Sequence, residues 1–183
     1  METTTAATPT AIYEAVDLMG IQGAAQNGKK AISFVVRGPP DAQARPKFLK
    51  LRRTGDWKAR NAIRVYDPSS KRKREYARAV TKAMEEMGIP RPFFTSGYND
   101  SGLVMEATFF EERPRYHYKR RGSLKKGVAD YPKNKDADNM EKFVMDALKG
   151  VVYNDDNMVR QNVSVKHYSA GAPYTELVFR TFE

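Results

Sequence analysis

The sequence over residues 135–159 reads KDADNMEKFVMDALKGVVYNDDNMV. Its central part repeats apolar side chains at intervals of three and four residues, the spacing that places them on one face of a helix. We therefore predict a helix from about Asn139 to Leu148, closed by Gly150, since glycine favours helix ends. The apolar face comprises Met140, Phe143, Val144, Ala147 and Leu148. A short strand over residues 151–153 is expected to reverse the chain after this helix.

Four acidic residues flank the predicted helix, with Asp136 and Asp138 before it and Asp155 and Asp156 after it. In an extended segment, side chains two residues apart point the same way, so Asp136 and Asp138 can face one ion. If the chain doubles back after the helix, the second acidic pair returns to the helix start. Converged carboxylates repel one another unless a divalent cation lies between them. A structure without metal also accounts for the pattern: Asp138 has capping-box spacing to the Glu three residues later, and residues 155–157 have the composition of a turn.

The composition limits the kinds of protein and of metal site to be considered. A chain of 183 residues with 40% hydrophobic content has room for one ordinary globular domain. The net charge of +10 favours binding to nucleic acid or to an anionic membrane surface. No apolar run approaches the roughly 18 residues of a membrane span. With no cysteine and two histidines, a metal site would use oxygen ligands, which suit magnesium, manganese or calcium.

The hydrophobic pattern elsewhere predicts four strands and a second helix. The strands are expected at residues 31–37, 103–110, 159–168 and 174–182. The helix is expected to begin at Asp67-Pro68-Ser69 and to stop at Gly88 and Pro90, with an apolar face of Tyr76, Val80, Ala83, Met84 and Met87. These elements predict a single α/β (α+β) domain over residues 31–183, a mixed sheet of about four main strands packed with two main helices. Residues 1–30 are expected to be a flexible tail, with one helical turn near residues 12–19.

A strongly basic segment over residues 113–135 precedes the acidic motif. It contains one acid, Asp130, and is too charged to bury, so we predict a surface loop that contacts DNA phosphates. The DNA-binding candidates in it are Arg113, Arg115, Tyr116, Tyr118, Lys119, Arg120, Arg121, Lys125, Lys126, Lys133 and Lys135. A second basic run, Lys71, Arg72, Lys73 and Arg74, can hold another DNA arm or can be a solvated helix face. Phe93 and Phe94 can wedge between bases or can pack in the core.

The region from 135 to 159 resembles the signature of RusA-type Holliday junction resolvases. That family has Asp-x-Asp-Asn, then a lysine, then Asp-Ala-Leu and a closing Asp-Asp before an apolar residue, with the spacing found here. The first strand and its proline-rich exit, Gly38-Pro39-Pro40, also resemble the family, as does Tyr66-Asp67-Pro68 before a basic helix. The resemblance covers the chain from about residue 31 onward. The N-terminal tail, residues 50–64 and Ala137 depart from the pattern.

The resemblance implies a RusA-like fold and a set of site residues. The metal-binding acids would be Asp136, Asp138, Asp156 and its neighbour Asp155, and the first three would also be catalytic. Lys142 matches the family's essential lysine, although a surface ion pair with Asp138 or Asp146 is the alternative. The implied cofactor is Mg²⁺, for which Mn²⁺ can substitute, and the implied assembly is a homodimer.

The implied function is structure-selective cleavage of four-way DNA junctions in recombination and repair. Hydrolysis would leave a 5′-phosphate and a 3′-hydroxyl. For a bacterial or phage protein the implied location is the cytoplasm or nucleoid, and no membrane partner is expected. Two other functions stay open at this point: a nuclease for flaps or forks, and a DNA-binding module without catalysis.

Overall fold

The computed structural model describes residue 13 and residues 16–22, 30–50, 63–95 and 102–182. The strands are β1 (Val16–Gln22), β2 (Ala31–Arg37), β3 (Lys47–Lys50), β4 (Ile63–Tyr66), β5 (Leu103–Glu112), β6 (Val159–Ser169) and β7 (Tyr174–Thr181). The helices are α1 (Ser70–Glu86) and α2 (Ala137–Leu148). Short 3₁₀ turns lie at Arg115–His117 and Asp156–Met158.

Within the described residues, the main sheet has five strands in the order β1-β2-β7-β5-β6, and β3 and β4 form a separate antiparallel ribbon. β5 and β6 are parallel, whereas the other pairs in the main sheet are antiparallel. Parallel neighbours require a long crossover connection, and here that connection contains the basic loop and α2. The acidic motif therefore lies in the connection that joins the paired strands β5 and β6. In space it is close to the edge strand β6.

The hydrophobic core lies between the helices and one face of the sheet. Tyr76 of α1 meets Phe143 of α2 edge to face, with ring centroids 5.7 Å apart. Phe34 and Phe179 bring β2 and β7 into the same buried cluster. The opposite face is more open, and Val163 and Val165 of β6 are 41% and 42% exposed.

The structure confirms the α+β class and the regular elements that carry a strong hydrophobic pattern. All five apolar residues predicted on α2 are buried, and β2 has the predicted bounds. On α1, Tyr76, Val80, Ala83 and Met84 are buried as predicted. Met87 is 50% exposed, so its assignment to the apolar face is wrong, because the helix ends at Glu86.

The N-terminal segment and the turn after α2 differ from the predictions. The helical turn expected near residues 12–19 is wrong, since residues 16–22 form β1 and pair with β2. The sheet therefore begins before residue 31, although most of residues 1–30 lie outside the described residues. Over residues 151–153 the chain makes only isolated bridges, including Phe94 with Tyr153. Residues 50–64, for which the sequence predicts no element, also lie mostly outside the described residues, and so does Trp57. The two ends of this stretch belong to β3 and β4.

Candidate active site

The start of α2 presents Asp136 and Asp138 to solvent. Asp136 is the N-cap residue with an extended backbone, and its side chain caps no amide. Asn139 donates to its Oδ2 at 3.4 Å. Asp138 lies in the first turn, where the positive end of the helix favours a negative charge. Both carboxylates are exposed and therefore keep oxygen lone pairs available for a ligand.

The capping-box alternative does not account for Asp138. Asp136, rather than Asp138, is the N-cap residue. Glu141, which a capping box would direct back to the helix start, instead accepts a hydrogen bond from Ser164 of β6 at 2.7 Å. This contact fastens the N-terminal half of α2 to the edge strand of the sheet.

Lys142 lies one helical turn after Asp138 and faces the same side of α2. Its ammonium is 3.3 Å from Asp138 Oδ2, and both side chains are largely exposed. The geometry is that of a surface ion pair, which was the alternative to a catalytic role. An exposed pair of this kind holds its partners loosely, so the ammonium can turn toward a bound phosphate.

Lys149, just after α2, holds the second acidic pair. Its ammonium lies 2.8 Å from Asp155 and 3.5 Å from Asp156. The hydrogen bond from Lys149 lowers the pKa of Asp155, and the same contact raises the pKa of Lys149. Asp155 also accepts from the amide of Asn157 at 3.2 Å, so the expected turn is present there.

Tyr153 ties Asp156 to the C-terminal half of α2. Its hydroxyl donates to the Met145 carbonyl at 2.8 Å and lies 3.4 Å from Asp156 Oδ1. Burial, and then the nearby Asp156 charge, raise the pKa of Tyr153, so the phenol stays protonated. Met145 follows Asp138 by about two turns, or about 10 Å along the helix axis.

The structure does not bring Asp136, Asp138 and Asp156 together as a ready-made metal group, so their convergence on one ion stays a prediction. Among the described residues, which include all four acids, no three acidic or histidine side chains are placed to hold a metal ion together. The physical reason is the turn after α2, which leaves Asp156 beside Tyr153 and Lys149. The exposed oxygen donors of Asp136 and Asp138 suit a hard cation such as Mg²⁺, and Asp156 would join them only after leaving its contacts with Lys149 and Tyr153.

Four of the DNA-binding candidates make contacts with other parts of the folded chain. Arg113 donates to the Ala129 carbonyl at 3.0 Å and its guanidinium lies 4.1 Å from the ring centroid of Tyr168. Lys135 donates to the Pro40 carbonyl.

The other two belong to the basic run at the start of α1. Arg72 pairs with the buried Asp41. The Lys73 side chain is 12% exposed and contacts Asp67 at 2.7 Å and Asp146 at 2.6 Å. Lys73 is therefore less available to a phosphate than Arg72, whose side chain is 54% exposed.

The remaining candidates form an exposed basic surface around the same loop. They are Arg115, Tyr116, Tyr118, Lys119, Arg120, Arg121, Lys125, Lys126 and Lys133, with Lys71 and Arg74 at the start of α1. Phe93 and Phe94 are buried, and their rings pack edge to face. Core packing, one of the two alternatives predicted for this pair, is therefore confirmed. Most of these exposed candidates therefore lie in the basic loop at residues 113–135.

Sequence reasoning missed Lys149 and Tyr153 as partners of the acidic pair. A weak signal was present for Lys149, because a cation is favoured in the last turn of a helix. No local signal identifies Tyr153, since its contacts depend on how the following turn folds back.

Comparison with protein families gives one match. A family model described as Endodeoxyribonuclease RusA matches residues 37–178. No curated protein matches the chain significantly. Within the described part of the chain, no helix combines the length and apolar character needed to cross a membrane.

Proposed function

The chain belongs to the RusA endodeoxyribonuclease family, and from this membership we propose that it is a magnesium-dependent nuclease that resolves four-way DNA junctions. The proposed reaction is paired hydrolysis of phosphodiesters during recombination and repair. Its site of action is the cytoplasm or nucleoid of a bacterial or phage system.

One observation carries the proposal. Exposed Asp136 and Asp138 lie at the start of α2 with Lys142 one turn away, and an exposed basic loop leads directly into them. Carboxylates in a protein of net charge +10 can hold a cation at the place where a polyanion is drawn in. The combination supports phosphodiester chemistry better than it supports DNA binding alone.

Each residue has a separate role in the proposed mechanism. Asp136 and Asp138 would hold Mg²⁺, with Asp156 as the third acid implied by the family. When bound, the ion would supply an activated water and polarise the scissile phosphate. Lys142 would exchange its contact with Asp138 for a non-bridging phosphate oxygen and stabilise the charge that develops there. The loop cations would fix the DNA backbone and release counterions.

We also propose that two copies act together as a homodimer. A four-way junction has two equivalent strands to cut, and a two-fold assembly presents one active site to each. Paired cleavage then requires no rebinding between the two cuts.

A DNA-binding module without catalysis is the second candidate. The observation that favours it is the separation of Asp156 from the first two acids, which leaves no three-carboxylate group among the described residues. This candidate predicts tight junction binding with no strand scission.

Cleavage of a synthetic four-way junction tests these functions. The substrate is incubated with Mg²⁺, with Mn²⁺ and with chelator, beside flap, fork and linear duplex of the same sequence. We expect symmetric nicks in the junction with either metal and none in chelator. Preferential cutting of flaps or forks would reassign the substrate, and binding without cutting under every metal condition would leave the non-catalytic module.

A further inference from the structure

A cavity of about 430 Å³ lies where the basic loop, the start of α2 and β6 meet. Its wall includes Asp130 and Tyr131 from the loop, Ala137 from α2, and Ser164, Lys166 and His167 from β6. The volume falls within the range of roughly 300–1,000 Å³ typical of small-molecule sites. β6 is the outermost strand, and no other strand among the described residues lies beyond it in the main sheet.

The cavity adjoins the candidate active site. Ala137 stands between Asp136 and Asp138, so one turn of α2 carries both the cavity wall and the two acids. Lys166 donates to the Lys135 carbonyl at 2.5 Å, which fixes the residue preceding the acidic motif. A group in this cavity would therefore lie within a few residues of the proposed reaction centre.

The lining combines aromatic surface with positive charge. Tyr131 is 50% exposed, and its ring centroid lies 5.6 Å from the Lys133 ammonium and 5.9 Å from that of Lys166. The His167 ring lies 5.6 Å from the ring of Phe110, on the same face of β6 as Val163 and Val165, so the aromatic ring on the Lys166 side of the strand is that of Tyr131. Exposed aromatic rings stack on nucleobases, and lysines neutralise the attached phosphates.

We propose that this cavity binds one unpaired nucleotide of the DNA substrate, with its base against Tyr131 and its phosphate near Lys166. The inference rests on the proposed function and adds to it the part of the substrate that the chain recognises. Branch points expose bases more readily than duplex arms do, because a base there has lost a stacking neighbour. The cavity would therefore contribute to selection of branched DNA over duplex.

Photocrosslinking tests the inference without cleavage. Four-way junctions carrying 5-iodouracil either at the branch point or in the middle of an arm are bound in chelator, irradiated and digested, and the labelled peptide is identified by mass spectrometry. We expect the branch-point label on Tyr131 and little label from the arm. Tyr131→Leu should lower this crosslink about fivefold or more.

Tyr66→Leu is the matched control, because Tyr66 is also an exposed tyrosine but lies in the β3–β4 ribbon away from the cavity. A junction that binds while its label crosslinks elsewhere would overturn the cavity and leave the nuclease proposal standing. Free 5-iodo-dUMP that labels Tyr131 as strongly as the junction does would also overturn it, in favour of a mononucleotide site. Failure of the wild-type chain to bind any branched DNA would remove the proposed function, and the cavity's role with it.

Discussion

The ammonium of Lys149 lies 2.8 Å from the carboxylate of Asp155. The same ammonium is 3.5 Å from Asp156, so one lysine balances both charges of the acidic pair. A cation that ligated Asp156 would have to compete with this contact. Lys149 is therefore an internal counterion at the place where the sequence resemblance predicts a metal ligand.

Lys149→Met should lower the Mg²⁺ concentration needed for half-maximal junction cleavage by about two- to fivefold, the size of effect typical of an exposed ion pair. The reason is that methionine keeps the aliphatic length but removes the charge that competes for Asp156. The measurement is cleavage rate against Mg²⁺ concentration. Lys82→Met is the control, because Lys82 forms a comparable exposed pair with Glu86 at 3.7 Å. A higher Mg²⁺ requirement in Lys149→Met would mean that the lysine assists the site.

Asp67→Asn should make folding stability less dependent on acid pH. Partial burial raises the pKa of Asp67, but hydrogen bonds from Lys73 and from the Ser69 amide outweigh it and leave the pKa below its ordinary value. A depressed pKa stabilises the fold above the unfolded value of about 3.9, and that stabilisation is lost as the pH falls through the folded value.

At pH 7 the Asp67→Asn variant should lose about 1–2 kcal/mol of unfolding free energy in urea, and the difference from wild type should shrink as the pH falls below about 3.9. Glu86→Gln, at an exposed position on α1, should stay within about 0.5 kcal/mol of wild type. An Asp67→Asn deficit that persists unchanged into strong acid would assign the effect to something other than the carboxylate charge.

Arg120→Gln combined with Arg121→Gln should weaken the salt dependence of junction binding. Both residues are exposed at the tip of the basic loop. If each contacts one phosphate, the slope of log Kobs against log salt should become less steep by about 1.8, or about 0.9 per contact. Lys82→Gln, near the C-terminal end of α1, is the control that removes a positive charge outside the basic loop. Parallel slopes for the double variant and wild type would place the loop away from the DNA.

The elements with a strong local pattern were predictable, and the contacts that depend on a turn were not. The five apolar residues of α2 identify that helix because one face must be buried. β1 was not predicted, because main-chain pairing with β2 at the edge of the sheet leaves no clear mark in the local sequence. Two features determine the position of Asp156. Gly150 redirects the chain after α2 with a φ of +77°, and Tyr153 donates a hydrogen bond to the Met145 carbonyl. The local sequence shows neither the direction of that turn nor its partner.

Asp136→Asn should separate cleavage from binding. The substitution keeps the size of the side chain and removes one negative charge from the start of α2, so junction cleavage in Mg²⁺ should fall by more than about 100-fold. Junction affinity should be unchanged or tighter, because an anionic group facing phosphate is lost. Gel-shift titration in chelator measures binding and single-turnover cleavage measures the reaction, with Glu86→Gln as a charge-matched control. Undiminished cleavage by Asp136→Asn would exclude this carboxylate from the chemistry. A parallel loss of binding and cleavage would instead show that Asp136 maintains the DNA-binding surface, since a group that acts only on the reaction leaves affinity intact.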